Sequence, residues 1–333
     1  MTASALPTAL EQRGVLVLDG ALATELEARG ADLSGGLWSA RLLLEQPDLI
    51  AQVHRDYFAA GADVAITASY QASVAGFVRA GRSASQARAL IQSAVSLARQ
   101  ARDDWAAGFP PGDARPHPLV ATSVGPYGAV LADGSEYRGD YDVSAADLVH
   151  FHRERLEVLV EAGVEVLACE TIPSLTEAEA LVEALSGWPE VTAWVSFSAR
   201  NEREVSDGTP AGRCAAFLHE QSQVLAVGVN CTAVSHITPL LRRLADATDK
   251  PLVTYPNSGE VFDAGSQTWL GDRAPTDFAL LAEEWYAAGA RLVGGCCRTR
   301  PADIRAVSQG LRAAAPVPSS ASTTSVPPAA HAR

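Results

Sequence analysis

Three of the five cysteines in this 333-residue chain stand where thiols could act together. Cys231 closes the run "AVGVNC", and Cys296 and Cys297 are neighbours in "LVGGCCRT". Each run is short, apolar and β-branched, which reads as a buried strand that ends at the thiols. Successive side chains on a strand point to opposite faces, so adjacent thiols converge on one target only where the strand stops and the backbone turns. Gly294 and Gly295 are expected to supply that backbone freedom. Three thiolates with a fourth position open describe a catalytic zinc site, because soft sulfur ligands suit zinc and a tetrahedral ion tolerates irregular loops. A competing expectation is that cysteine is a small core residue. It is assigned to Cys169, within an apolar run, and to Cys214, within the helical stretch "AGRCAAFLHE". A redox-sensing disulfide between Cys296 and Cys297 on a non-catalytic or hydrolytic barrel is the other alternative.

Other chemistries lack their residues. His54, His150, His152, His219 and His236 fall in helical stretches as structural residues, and no HExxH is present. Lys250, the only lysine, precedes its strand and so stands at the end of the fold away from a Schiff-base site. A glycine pair after a last strand can cradle phosphate, but here it runs into thiols, which would repel it. A net charge of −13 disfavours nucleic acid and anionic membrane as partners, leaving small molecules. No apolar run approaches the roughly 18 residues of a membrane span. The opening "MTASALPTALEQRG" does not read as a secretory signal, and an odd cysteine count argues for reduced thiols. The expected location is the cytoplasm.

The elements that must position the thiols are legible as a rhythm. "YFAAGADVAITAS", "LVEAGVEVLACET" and "WYAAGARLVGGCC" each end a helix with Ala-Gly and enter an apolar strand. Glycine suits the left-handed position just past a helix end. The same pattern gives eight strands, at 15–20, 64–70, 119–126, 166–174, 193–199, 226–232, 251–259 and 292–297. Helical patterns lie between them, one with a proline near its start at Pro47 and one with Ser83 placed as a cap. Eight alternations predict a single-domain α/β fold, the (β/α)8 or TIM barrel, whose active site lies at the carboxyl ends of the strands. No GxGxxG follows the first strand, which removes the usual support for a dinucleotide-binding sheet. The predicted barrel spans residues 12–312, after an N-terminal arm over 1–11. The Ala-, Ser-, Thr- and Pro-rich segment 313–333 is predicted to be a disordered tail.

The strand ends also carry a resemblance. "GVNC" at 228–231 and "GGCCRT" at 294–299 resemble the paired zinc motifs of the homocysteine S-methyltransferases, which are (β/α)8 barrels. "LDGALATELEARG", "ITASYQAS", "ACETIPS" and "YPNSGEVFD" follow the order of that family over about residues 12–312. The resemblance implies zinc ligation by Cys231, Cys296 and Cys297. It places Glu170 against the amino acid's ammonium, with Asp19 and the backbone of Gly20 nearby. Thr67, Tyr70 and Asn230 would line the thiol pocket, and Tyr255, Asn257 and Ser258 belong to a signature loop, of which Tyr255 and Ser258 are expected to touch the substrate. No catalytic side chain is implied beyond the substrate thiol that zinc activates. Donors in such families are a sulfonium, betaine, or a methylated folate acting through cobalamin. Only one helix and the tail follow the eighth strand, and "YPNSGE" looks most like the sulfonium-using branch. S-methylmethionine is therefore the expected donor, with S-adenosylmethionine behind it. Aromatic residues such as Tyr70, Tyr255 and Trp269 would suit an onium donor. The alternatives are selenocysteine as acceptor, betaine as donor, or a barrel that binds a sulfur amino acid without turnover. A monomer or small homo-oligomer is expected.

Overall fold

The computed structural model describes residues 5–33, 39–110, 116–131, 133–263, 268–270 and 276–315. Its strands are β1 (Leu16–Val17), β2 (Val64–Ile66), β3 (Leu119–Val124), β4 (Val166–Ile172), β5 (Ala193–Phe197), β6 (Val224–Asn230), β7 (Leu252–Tyr255) and β8 (Ala290–Val293). All eight pair in parallel, in the order β1-β8-β7-β6-β5-β4-β3-β2. A parallel bridge between Leu18 and Val64, with Asp19 N donating to Val64 O at 3.0 Å, joins the first strand to the second and closes the ring. The predicted (β/α)8 barrel is the fold.

Helix follows strand around the ring, and the local signals act as read. Pro47 opens the helix Pro47–Ala60, and Ser83 with Gln86 forms a reciprocal cap on Ala84–Ala106. Gly61, Gly163 and Gly289 take φ of 108°, 78° and 107° just past their helices. At Gly61 the amides of Gly61 and Ala62 return to Phe58 O and Tyr57 O, ending the helix and aiming the chain into β2.

Strand parity divides the apolar residues into two cores. Leu16, Leu18, Val64, Ala121, Val166, Ala168, Trp194, Ala226, Val253 and Leu292 fill the barrel, while Val17, Leu167, Val195, Val227, Val229 and Val293 face the helices. The barrel core reaches the helix Ala5–Arg13, whose Leu6 and Ala9 pack into it. Arg13 pairs with Asp63 and reaches Pro116 O, just ahead of β2 and β3. The segment read as an arm is thus mostly a helix that plugs the amino-terminal end of the barrel, which leaves the carboxyl end for chemistry. The last helix, Pro301–Ala314, runs two residues beyond 312. The predicted tail from 316 onward lies outside the described residues. A two-strand antiparallel ribbon, Val261–Asp263 with Thr268–Leu270, follows β7 and holds Trp269. Among the described residues, no helix is long and apolar enough to cross a membrane.

Candidate metal and substrate site

Cys231 follows β6 and the cysteine pair follows β8, the two strands on either side of β7. Cys231 Sγ lies 3.6 Å from Cys297 Sγ, Cys297 Sγ lies 4.0 Å from Cys296 Sγ, and all three sulfurs fall within 4.8 Å of one another. Cys231 is buried and the pair half-buried. The loop after β7 brackets them through its backbone. Tyr255 O accepts from Cys231 N at 3.1 Å and Pro256 O from Cys296 N at 2.7 Å. Asn257 N donates to Thr232 O and Ser258 N to Cys297 O, each at 3.1 Å.

The glycine pair works differently from the sequence expectation. Neither Gly294 nor Gly295 takes positive φ; among non-glycine residues Thr171, Cys231 and Arg298 do, at 61°, 47° and 68°. The turn is made at Cys231 and just after Cys297. Gly294 is needed for close approach, since a Cβ there would stand 2.6 Å from Leu18 Cβ and 2.7 Å from Asp19 O. A Cβ on Gly295 would run into Thr299, whose hydroxyl holds Cys296 O at 2.6 Å.

The cluster concentrates charge on one sulfur. Hydrogen bonds from Cys296, then Cys297, pull the Cys231 thiol well below its ordinary range against the effect of burial, with Tyr137 and Asn257 adding to the pull. Tyr137 Oη lies 3.5 Å from Cys231 Sγ. Cys296 is pushed up in turn, by its bond to Cys231 first. Three converging thiols that already favour a thiolate form a group that could hold a metal ion. Cys169 and Cys214 lie apart from it in the core, where burial lifts each to about 12.

Below the thiols the inward parity of the strands continues in polar residues. On β4, Val166 and Ala168 face inward, and so does Glu170. Ser123 Oγ donates to Glu170 Oε1 at 2.5 Å. Burial raises the Glu170 pKa to about 7, offset by hydrogen bonds from Ser123 and Tyr255 and increased by the nearby Cys231. Asp19 Oδ2 accepts from Ile66 N at 2.8 Å, and burial first, then the Glu170 charge, raises its pKa well above the carboxylate range. No ion pair reaches either carboxylate among the described residues, so the mouth suits an incoming cation.

The remaining nominated residues divide by what their polar atoms do. Asn230 is fully buried and committed: its Oδ1 accepts from Thr171 N at 2.7 Å and Ser196 Oγ at 2.8 Å, and its Nδ2 donates to Thr171 Oγ1 at 2.8 Å. It clamps a β-branched residue in a left-handed conformation, a strain of about 1–3 kcal/mol. Tyr255 Oη lies 2.8 Å from Ser196 Oγ and accepts from Trp194 Nε1 at 3.1 Å. Thr67 Oγ1 accepts from Ser123 N at 3.0 Å and sits 2.7 Å from Ser69 Oγ. Ser258 donates its hydroxyl to Glu260, which also faces Arg298. Gly20 lets the chain pass Tyr57, whose Cε1 would stand 2.8 Å from a Cβ there. Tyr70 packs its ring on Gly125, with Cys231 and Glu136 near its phenol.

Sequence reasoning missed several residues. Ser123 and Ser196 follow from the parity that places Glu170 inward. Arg155, almost fully buried on the helix Ala145–Glu161, donates to Gly125 O at 2.8 Å, to Ser69 O at 2.6 Å and to Tyr70 O, tying together the loops after β2 and β3. Glu136 and Tyr137 come from a single 3-10 turn, Ser135–Tyr137, which has no periodicity to read. Glu136 is 2% exposed and burial lifts its pKa to about 7. His54 and His152 are structural as expected, but fully buried, with His152 Nε2 2.9 Å from Glu177 Oε1.

Fold and site together define a (β/α)8 barrel with a three-cysteine centre beside two buried carboxylates. Residues 16–311 match the family model described as homocysteine S-methyltransferase. The chain is 51% identical over 303 residues to homocysteine S-methyltransferase YbgG of Bacillus subtilis, covering 91% of this chain and 96% of that protein. It is 52% identical over 300 residues to homocysteine S-methyltransferase of Escherichia coli, covering 90% and 96%. The crystal structure of the metallated form of the homocysteine methyltransferase MmuM from Escherichia coli superposes with a TM-score of 0.82, at 49% identity, covering 91% of this chain and 98% of that one. The chain belongs to the homocysteine S-methyltransferase family.

Proposed function

We propose that this chain transfers a methyl group from a sulfonium donor, S-methylmethionine ahead of S-adenosylmethionine, to the thiol of L-homocysteine, with zinc held by Cys231, Cys296 and Cys297. Methyl transfer to homocysteine goes with membership of the family. The observation that carries the metal is the convergence of three thiols at the barrel mouth. Ligand sulfurs around tetrahedral zinc stand roughly 3.8 Å apart for Zn–S bonds of about 2.3 Å. The separations of 3.6 and 4.0 Å fit that donor set. Once bound, such an ion supplies the positive charge that keeps the substrate thiol ionised near neutral pH.

The rest is done by the chain's own residues. Glu170 and Asp19, raised in pKa by burial, regain their charge when an ammonium arrives, and so orient homocysteine by its amino group. Thr67, Tyr70 and Tyr255 with Gly20, Asn230 and Ser258 form the wall that keeps the pocket in shape. The thiolate sulfur then attacks the methyl carbon as the sulfonium S–CH3 bond breaks, and that bond's electron pair stays on the leaving sulfur. An anion and a cation become two neutral thioethers, both methionine when the donor is S-methylmethionine. No proton moves in this step, so alignment of the two sulfurs and the methyl supplies much of the acceleration.

We assign this activity to the single barrel, from the plugging helix Ala5–Arg13 to the last helix Pro301–Ala314. Five free cysteines suit a reducing cytoplasm and small-molecule partners, in a monomer or small homo-oligomer. Incubation with L-homocysteine and S-methylmethionine, S-adenosylmethionine or betaine tests the donor. Two methionines per S-methylmethionine consumed is the expected result. Dimethylglycine from betaine without turnover of S-methylmethionine would overturn the donor. Tight homocysteine binding with transfer from none of the three would leave a binding barrel.

A further inference from the structure

Glu136 is a buried carboxylate beside the thiol cluster that this reaction has not used. It is 2% exposed, and its Oε2 has no hydrogen-bond partner. Its position is enforced. The 3-10 turn that carries it is held by Ser135 N donating to Asp133 Oδ1 at 2.9 Å and by Arg138 and Gly139 amides returning to Ser135 O at 3.0 and 2.8 Å. Gly128 packs directly on the Glu136 amide, leaving no space for a side chain there. The next residue, Tyr137, reaches Cys231 Sγ at 3.5 Å, so carboxylate and thiol cluster share one wall of the mouth. Tyr70 and Tyr141 both feel the Glu136 charge at their phenols. The nearby cation, Arg138, is turned outward to Asp140 at 3.1 Å. Burying a carboxylate without a counter-ion is costly, and completion by a cationic ligand offsets that cost.

We infer that Glu136, with the rings of Tyr70 and Tyr137, forms the subsite that receives the sulfonium centre of the methyl donor. The inference rests on the sulfonium reading above and names the residue that recognises the charge. Glu170 and Asp19 lie together at the ends of β4 and β1 and serve the acceptor's ammonium. Glu136 lies in the β3 loop, where it can face the donor. A carboxylate there stabilises the charged donor in the ground state, and aromatic faces beside it attract the same cation. The charge disappears as the methyl leaves, so the neutral product is held less tightly and departs.

The test compares S-methylmethionine with 2-amino-5-methylhexanoate, which has the same shape and ammonium but carbon in place of the sulfonium sulfur. Both are titrated calorimetrically into zinc-loaded full-length wild type, Glu136→Gln and Glu136→Asp, with zinc content and homocysteine affinity recorded for each. Wild type should prefer the sulfonium at least tenfold. Glu136→Gln should lose that preference to within twofold through weaker sulfonium binding alone, and its KM for S-methylmethionine should rise tenfold or more. Glu136→Asp should keep part of the preference, and it carries the test if the glutamine variant fails to fold or to hold zinc. A preference retained in Glu136→Gln, or equal weakening of both ligands, would overturn the inference, because Glu136 would then be reading shape or the ammonium. Wild type that binds homocysteine but accepts no methyl from S-methylmethionine would overturn the donor assignment itself, and the inference with it.

Discussion

The role proposed for Glu170, holding an ammonium, needs an ionised carboxylate, yet the barrel buries it. Its pKa rises from 4.5 to about 7, chiefly through burial. Between those values the folded protein keeps a proton that the unfolded chain has released, so Glu170 makes the ligand-free fold less stable as pH rises through that window. Glu170→Gln should therefore be more stable than wild type at pH 8, by on the order of 3 kcal/mol, with the difference vanishing below about pH 4.5. Homocysteine affinity should fall with it. Denaturant titrations across pH check this, and a stability difference that does not change with pH would contradict it. Glu170 was legible through the family pattern, and strand parity supports it. Asn230 was legible as a resident of the mouth but not in its role, because its partner Thr171 belongs to β4, 59 positions away in sequence. Side-chain pairing across strands leaves no local signal.

Elements were more legible than their ends. All eight strands occur where the apolar runs lie, but the runs extend past them, as at 64–70 against Val64–Ile66 and 251–259 against Leu252–Tyr255. The excess residues continue the pattern after the backbone has left the sheet, and those residues build the site. The loop after β7 could be recognised but not interpreted, since much of its hold on the thiols runs through backbone groups, which leave no mark on residue type. Lys250 shows the reverse case, a single residue whose place in the sequence located it correctly. Its Nζ donates to Leu218 O, Gln221 O and Val224 O at 2.7, 2.5 and 2.7 Å, tying the end of the helix Ala211–His219 to the start of β6 at the end away from the site. Lys250→Met should lower stability by about 2 kcal/mol while leaving zinc content and the KM for homocysteine unchanged. A changed KM with unchanged stability would contradict that assignment.

The whole molecule separates stability from chemistry along the barrel axis, with the helix Ala5–Arg13 plugging one end and the thiols gathered at the other. The packing between barrel and helices also buries His54, on Pro47–Ala60, with neither ring nitrogen hydrogen-bonded. Burial, then Arg55, lowers its pKa from 6.5 to about 4. Below 6.5 the unfolded chain takes up a proton that the folded one refuses, so stability present above that value is lost as pH falls toward 4, by on the order of 3 kcal/mol in all. His54→Gln should flatten this acid limb in denaturant titrations between pH 7 and 4, and an unchanged limb would show that other groups govern it. The claim on which the function depends most is that the mouth holds zinc through its three thiols. The direct measurement is metal content, by plasma mass spectrometry, of wild type and Cys296→Ser purified side by side under reducing conditions. About one zinc per chain in the wild type and little in a folded variant is the expected result. Wild type that is metal-free yet folded and able to transfer methyl would contradict it.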